Sequence, residues 1–194
     1  FQESYSVLDK NLLLVDIGGT NIRYAYSNIG DCSFVCENKA ELESLNDFDN
    51  LMSELLANSV VKNIVFSVAG PKVNNSIKMT NRNFQIDADA IRKRFNLKSC
   101  HLLNDWESIG YSIKTFSEND FDDFKEGIPF NDNFLVIGPG TGLGASVISG
   151  NNVIATEIGN TNLGLSALKS LLKINSDEFN VLEHIISGLS LIHI

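Results

Sequence analysis

Twice in this chain a short apolar run ends in a glycine-rich turn that carries a threonine, and this pairing limits the fold more than any other feature. The first case is LVDIGGTNIR at residues 14–23, and the second is IGPGTGLGAS at residues 137–146. Around them, strand-like and helix-like segments alternate. Residues 11–17, 22–28 and 32–37 read as strands. Helical spacing follows over 47–59, through Leu51, Leu55 and Leu56, with Asp47 or Asp49 as the cap. Residues 63–70 read as a strand ending in a glycine turn, 87–95 as a helix capped by Asp87, 99–105 as a strand and 106–114 as a helix. An acidic loop over 117–129 leads to strands at 133–138, 143–150 and 151–159. Two helices are predicted near 164–173 and 177–187. Such alternation with crossovers means an α/β fold. We place a boundary near residue 105, giving units over 1–105 and 106–194.

Composition removes several function classes. The 194 residues are 43% hydrophobic, enough for a real core, and their net charge is -9. The longest basic cluster is Arg92-Lys93-Arg94, so neither nucleic acid nor an anionic membrane surface is expected as a partner. No apolar run nears the roughly 20 residues that span a bilayer. Cys32, Cys36 and Cys100 are odd in number and spaced for neither a disulfide framework nor a zinc site. Three buried or half-buried free thiols in a reducing cytosol fit them, and the expected location is cytoplasmic. The chain starts at Phe1 rather than Met, and no signal-peptide pattern precedes the first strand. Apolar residues continue to Ile194, where a natural domain rarely stops; the expectation is a chain that ends before its second half.

The residue types in the two turns point to phosphate chemistry. Gly18 and Gly19 remove side chains, so backbone N–H groups can close on a phosphate, and Thr20 adds a hydroxyl. Asp16 would repel a phosphate unless a divalent cation or its waters stood between them. A Gly-Gly pair also serves in an ordinary hairpin turn, and for the first stretch alone both readings stay open. The second stretch sets Gly138, Gly140, Gly142 and Gly144 around Thr141, and two such turns suggest two phosphate cradles facing each other. Neither is a Walker loop, since no Gly-Lys-Ser/Thr follows, nor a Rossmann fingerprint, since a strand rather than a helix comes next.

A third stretch, HLLNDWESI, puts Asn104 and Asp105 where a strand hands over to a helix. Asp105 is there either a helix cap or a general base, with Asn104 holding a hydroxyl substrate. Glu157 and Asn160 in TEIGN, and Glu183 in LEHIISG, are residue types that suit sugar hydroxyls, and each is equally an ordinary cap or surface charge.

The order of these motifs resembles that of the bacterial glucokinase family, within the hexokinase, sugar-kinase and actin-like superfamily, over nearly the whole chain. DIGGTNIR resembles the family's first phosphate motif and VIGPGTGLG the second. LLNDWESIGYSI resembles the catalytic motif. SVAGPKVNNSIKMTNRNFQID is similar to the small lobe's sugar-facing segment, with Thr80, Asn81 and Phe84 as its signature. TEIGN and EHIISG stand where the family has a glucose-binding Glu-Gly-Gly-His and a further glucose-binding Glu. The resemblance implies an actin-like ATPase (ribonuclease H-like) fold of two lobes around a cleft, the second lobe incomplete here. It implies an ATP-dependent glucokinase that makes glucose 6-phosphate, with ATP and Mg²⁺ as cofactors and a homodimer in the full-length protein. Asp105 is then the base that takes the proton of the sugar's primary hydroxyl. Asn81, Asn104, Asp105, Glu157, Asn160 and Glu183 contact the hexose. Asp16 orients Mg²⁺ through water, while Gly18, Gly19, Thr20, Asn21, Gly138, Gly140, Thr141 and Gly142 hold the nucleotide phosphates.

Departures from the family pattern shape the alternatives. The family's Glu-Gly-Gly-His is here Glu157-Ile158-Gly159-Asn160, and Gly188 is followed by Leu189 and Ser190 where the family has Pro-Gly. The family's adenosine-binding glycines lie outside this chain, so the 194 residues by themselves are not expected to turn over. An amide at position 160 still donates and accepts, which allows a kinase for another hexose, with ATP, ADP or polyphosphate as donor. A catalytically weak, sugar-binding regulatory relative is a second reading. A related kinase or repressor of the zinc-containing open-reading-frame and kinase type is a third; the cysteine spacing and the lack of an N-terminal helix-turn-helix weigh against it.

Overall fold

In the computed structural model, residues 9–18, 21–41, 44–57, 60–79, 85–125, 127–128, 131–140, 142–175 and 177–187 are described. The chain divides into two compact units, Phe1–Asp105 and Trp106–Ile194.

The first unit is built on a sheet of five strands. β1 (Leu12–Ile17), β2 (Asn21–Ser27) and β3 (Val35–Glu41) form an antiparallel meander, and β4 (Asn63–Val68) and β8 (Ser99–Asn104) continue it in parallel, in the order β3-β2-β1-β4-β8. Alternation along β1 buries Leu13, Val15 and Ile17 on one face. They join Phe66 and Val68 of β4, Leu102 of β8 and the apolar side of α1 (Leu45–Ala57) in one core. Phe48 and Met52 of α1 are almost fully buried, with the Phe48 ring centroid 6.0 Å from that of Phe66. A small antiparallel sheet of β5 (Lys72–Val73), β6 (Ser76–Lys78) and β7 (Gln85–Asp87) leads into α2 (Ala88–Arg94). Asp87 caps α2 as its sequence predicts, its side chain accepting from the Ala90 N–H at 2.9 Å.

Four element boundaries differ from expectation: the strand expected over 151–159 stops at Thr156, ahead of a 3₁₀ turn over Ile158–Asn160, and the other three differ for a local reason. The third strand starts at Val35 rather than near residue 32. Asp31 there accepts from both the backbone N–H and the hydroxyl of Ser33, a turn that competes with strand pairing. Helix α1 starts at Leu45, two residues before the earlier of its expected caps. Ser44 and Asp47 form a reciprocal capping box, in which the Asp47 N–H donates to the Ser44 hydroxyl and the Asp47 carboxylate accepts from the Ser44 N–H. The last helix is a single turn, α5 (Glu183–Ile186), instead of 177–187. The Leu182 N–H is spent on the Thr161 carbonyl at 2.9 Å, and the chain turns helical only after it.

The second unit carries a three-stranded antiparallel sheet, β11-β10-β9, made of β9 (Asn133–Pro139), β10 (Leu143–Ser149) and β11 (Asn152–Thr156). Most of α3 (Asp105–Ser112) belongs to this unit, and its Trp106 and Gly110 lie against the sheet. A Cβ at Gly138 or at Gly144, which pair across β9 and β10, would fall inside the Trp106 indole. At Gly110 it would meet Ser146 and Val153. A 3₁₀ turn over Ile158–Asn160 and helix α4 (Leu165–Leu172) complete the unit. Among the described residues no helix is long and apolar enough to cross a membrane.

Candidate functional site

In the first unit, strand register decides which groups share an edge. Asp16 is level with Ser67 on β4, and Ser67 is level with Leu103 on β8. All three strands run in parallel, so their carboxyl ends align, and the loops there are where open α/β sheets bind ligands. At the usual strand spacing, Asp16 and Leu103 stand about 10 Å apart. Asn104 and Asp105 follow Leu103 at the same end of the sheet.

Each of these residues is held by identifiable contacts. Gly18 and Asn21 close the β1–β2 turn, the Gly18 N–H donating to the Asn21 carbonyl at 2.9 Å. Gly19 and Thr20, between them, lie outside the described residues. Asp16 faces Arg23 across the hairpin, with the guanidinium 3.5 Å from its carboxylate and both side chains about half exposed. Asn104 is buried, and its amide donates to the Gly70 carbonyl at 2.9 Å, tying β8 to the turn after β4. Asp105 is half-buried and is itself the first residue of α3, so the capping position falls on Asn104. A recess of about 480 Å³ in this unit is lined by the small sheet, through residues such as Asn75, Lys78 and Gln85, and holds none of the candidate site residues. Asn81, with Thr80 and Phe84, lies outside the described residues.

In the second unit three separate motifs meet at one carboxylate. The β9–β10 connection is a tight hairpin in which the Gly140 N–H donates to the Gly142 carbonyl at 2.8 Å; Thr141, between them, lies outside the described residues. Glu183, the first residue of α5, accepts from the Leu143 N–H through Oε2 at 3.4 Å. A Cβ on Gly142 would lie 2.7 Å from that oxygen, and one on Gly159 would lie 3.0 Å from it. At Gly159 the Cβ would also lie 2.5 Å from the Leu143 carbonyl oxygen, so glycine is required there by backbone, whereas the carboxylate beside Gly142 can swing aside. Glu157 and Asn160 are exposed and joined, the Asn160 amide donating to the Glu157 carboxylate at 3.3 Å. With Thr161, Asn162 and Asn180 they line an open, polar recess of about 510 Å³. Gly188, Leu189 and Ser190 lie outside the described residues.

Reading by motif misses Arg23 and Trp106. Arg23 stands at the end of the first quoted motif, and counting residues back from the turn would have set it opposite Asp16. Trp106 accounts for two of the glycines around the second turn: Gly138 and Gly144 make room for an indole. Both glycine stretches are hairpins, so the turn geometry itself accommodates either open reading.

Among the described residues, no three or more His, Cys, Asp or Glu side chains group to hold a metal ion directly. A lone carboxylate such as Asp16, steadied by Arg23, fits a Mg²⁺ ion held through its waters and the phosphates of a substrate.

Comparison with known proteins gives the following similarities. A family model described as Glucokinase matches residues 13–194. A glucokinase from Campylobacter jejuni subsp. doylei is 30% identical over 147 residues, covering 69% of this chain and 41% of the relative. Among solved structures, a glucokinase from an Antarctic psychrotroph has a TM-score of 0.71 at 24% identity, covering 94% of this chain and 62% of its own. A glucokinase from Streptomyces griseus, solved with glucose and AMPPNP, has a TM-score of 0.64 at 20% identity over 94% of this chain and 59% of its own. These structures share the mixed α/β fold. The chain spans about half the length of the curated relatives it matches, 41% and 59% for two of them.

Proposed function

The chain belongs to the glucokinase family, and from that premise we propose that the protein transfers the γ-phosphate of ATP to the 6-hydroxyl of glucose. The observation that carries this reading is the register of β1, β4 and β8, which sets Asp16 of the first phosphate turn and the Asn104–Asp105 pair at one carboxyl edge. Phosphoryl transfer asks little covalent chemistry of a protein and much positioning. Asp105 takes the proton of the sugar hydroxyl as its oxygen bonds to phosphorus and ADP leaves. Asn104, Asn81, Glu157, Asn160 and Glu183 bind the hexose. Gly18, Gly19, Thr20, Asn21, Gly138, Gly140, Thr141 and Gly142 form the two turns that line the phosphates, with the Gly18 and Gly140 N–H groups closing the turns themselves. Asp16 holds Mg²⁺ through water, and that ion neutralises charge on the phosphates when bound. An actin-like ATPase architecture, a cytoplasmic setting, a role in the first step of sugar breakdown and a homodimeric full-length protein belong to the same reading.

One observation favours a shifted sugar preference. The Asn160 amide donates to Glu157, one of the carboxylates meant for sugar hydroxyls. A kinase for a hexose other than glucose is accordingly the second reading.

Asp105→Asn in the full-length protein tests the assignment. Asparagine keeps shape and hydrogen bonding and loses basicity, so kcat is expected to fall about 10²–10⁴-fold with glucose affinity and the thermal midpoint nearly unchanged. A near-normal kcat would leave Asp105 a structural residue at the start of α3.

A further inference from the structure

The loop between α3 and β9 combines exposed aromatic rings with dense negative charge. A 3₁₀ turn over Glu118–Asp120 shapes its start, where the Asp120 carboxylate accepts from the Ser117 N–H at 2.7 Å and from its hydroxyl at 2.8 Å. The turn sets Phe116 and Phe121 edge to face, their ring centroids 5.7 Å apart, yet both rings stay about half exposed. Phe124 and Ile128 stand wholly in solvent. Residues 117–126 hold five carboxylates and one lysine. An apolar patch rimmed by charge marks an interaction site. The complement lies on α2. Its last turn is Arg92, Lys93 and Arg94, all exposed and the longest basic cluster of the chain. Arg94 is engaged, bonded to Asp49 at 2.7 Å with its guanidinium over the Phe95 ring at 5.1 Å. Among the described residues none of Arg92, Lys93, Asp122 and Asp123 forms a salt bridge.

We propose that this loop of one copy docks on the last turn of α2 of a second copy, and that the reciprocal contact closes a twofold homodimer. Asp122 and Asp123 pair with Arg92 and Lys93, and the Phe124 ring lies against a guanidinium, the contact Arg94 already makes with Phe95. A second copy is the occupant because both complementary faces are carried by one chain. A twofold axis uses each face once per copy and leaves neither open. Elsewhere a chain of net charge -9 repels its own kind. Burying the three loop rings from their present exposure removes roughly 400 Å² per copy from water. The pair therefore buries roughly 800 Å² in rings alone, most of the roughly 1,200 Å² at which stable interfaces begin. The interface gives faces to the homodimer of the reading above, rests on that part of it, and uses none of the residues assigned to sugar or phosphate.

The test is light scattering on a dilution series of the full-length protein, with hexose phosphorylation measured on the same samples. The wild type should be a dimer whose dissociation constant rises with salt. Asp122→Lys with Asp123→Lys, or Arg92→Glu with Lys93→Glu, should each weaken it about tenfold or more, because like charges then meet. All four changes together should restore the dimer, which a general loss of folding would not do. Phe124→Ser should weaken the dimer and leave its salt dependence unchanged. A dimer that survives either reversal, a combined variant no tighter than its parents, or a monomeric wild type overturns the proposal. A monomer that phosphorylates glucose leaves the kinase reading standing, and a dimer that obeys the charge reversals but phosphorylates no hexose overturns that reading and keeps the interface.

Discussion

Replacing Gly70 with alanine perturbs the turn that supports Asn104. Gly70 follows β4 with φ +142°, a backbone conformation that side-chain-bearing residues rarely adopt. That strain costs about 1–3 kcal/mol. The added Cβ would also lie 2.7 Å from the Lys78 carbonyl oxygen and 3.1 Å from Cγ2 of Ile77, where ordinary contact begins near 3.4 Å. Lys78 is backbone in β6, paired to β7, so relief must come from moving the turn by several tenths of an ångström. The 2.9 Å bond from the Asn104 amide to the Gly70 carbonyl is then strained, for about 1 kcal/mol more. The expected loss is about 2–4 kcal/mol, a drop of about 1–2 M in urea midpoint for a slope near 2 kcal/mol/M. Gly30→Ala is the control. Gly30 has φ +84° but no atom within 4 Å of the added Cβ, so it carries strain without a clash and should cost about 1 kcal/mol. Equal losses in the two variants, or a loss under about 1 kcal/mol for Gly70→Ala at an unchanged slope, would refute the argument.

Asn160→His restores the family residue beside Glu157 and should move apparent glucose affinity several-fold, since a fitted hydrogen bond is worth on the order of 1 kcal/mol; an unchanged KM for every sugar tested would place Asn160 outside the site. Burial pushes the Cys100 thiol up from 9.0 to about 12, with Asp89 adding to the rise, while Cys32 is exposed. Iodoacetamide at pH 8 should therefore label Cys32 and spare Cys100, read by mass spectrometry. Below pH 9 the Cys100 thiol is neutral in both the folded and the unfolded chain. As pH climbs from 9 towards 12 the unfolded chain ionises it first, so stability should fall over that window, and less steeply in Cys100→Ala. A urea midpoint that rises over the same window would contradict the assignment.

The elements that could be read from sequence are those set by near neighbours. Asp87 caps α2 through an N–H three residues away, and the alternation that buries Leu13, Val15 and Ile17 is visible residue by residue. The two glycine turns, the strand after each of them and the strand-to-helix step at Asn104–Asp105 are likewise contained in short stretches. The same locality explains the errors. The turn at Asp31 and Ser33 and the capping box at Ser44 and Asp47 were readable in principle, but strand and helix periodicity masked them.

Tertiary structure decided what those short motifs do together. Sequence offers Asp16 and Asp105 as two separate candidates; parallel pairing through β4 brings them to one edge. Glu183 and Leu143 are 40 residues apart, and Asn104 and Gly70 are 34 apart, so no local pattern announces either bond. Glycine at 138 and 144 reads as phosphate chemistry in sequence, and packing against the Trp106 indole supplies the physical requirement. Among the described residues the last helix is one turn, ahead of which the Leu182 N–H donates to the Thr161 carbonyl and the Asn180 N–H to the His184 imidazole. Chain propensity acts over a few residues, whereas a hydrogen bond or a packed ring acts between whichever residues the fold brings within a few ångströms.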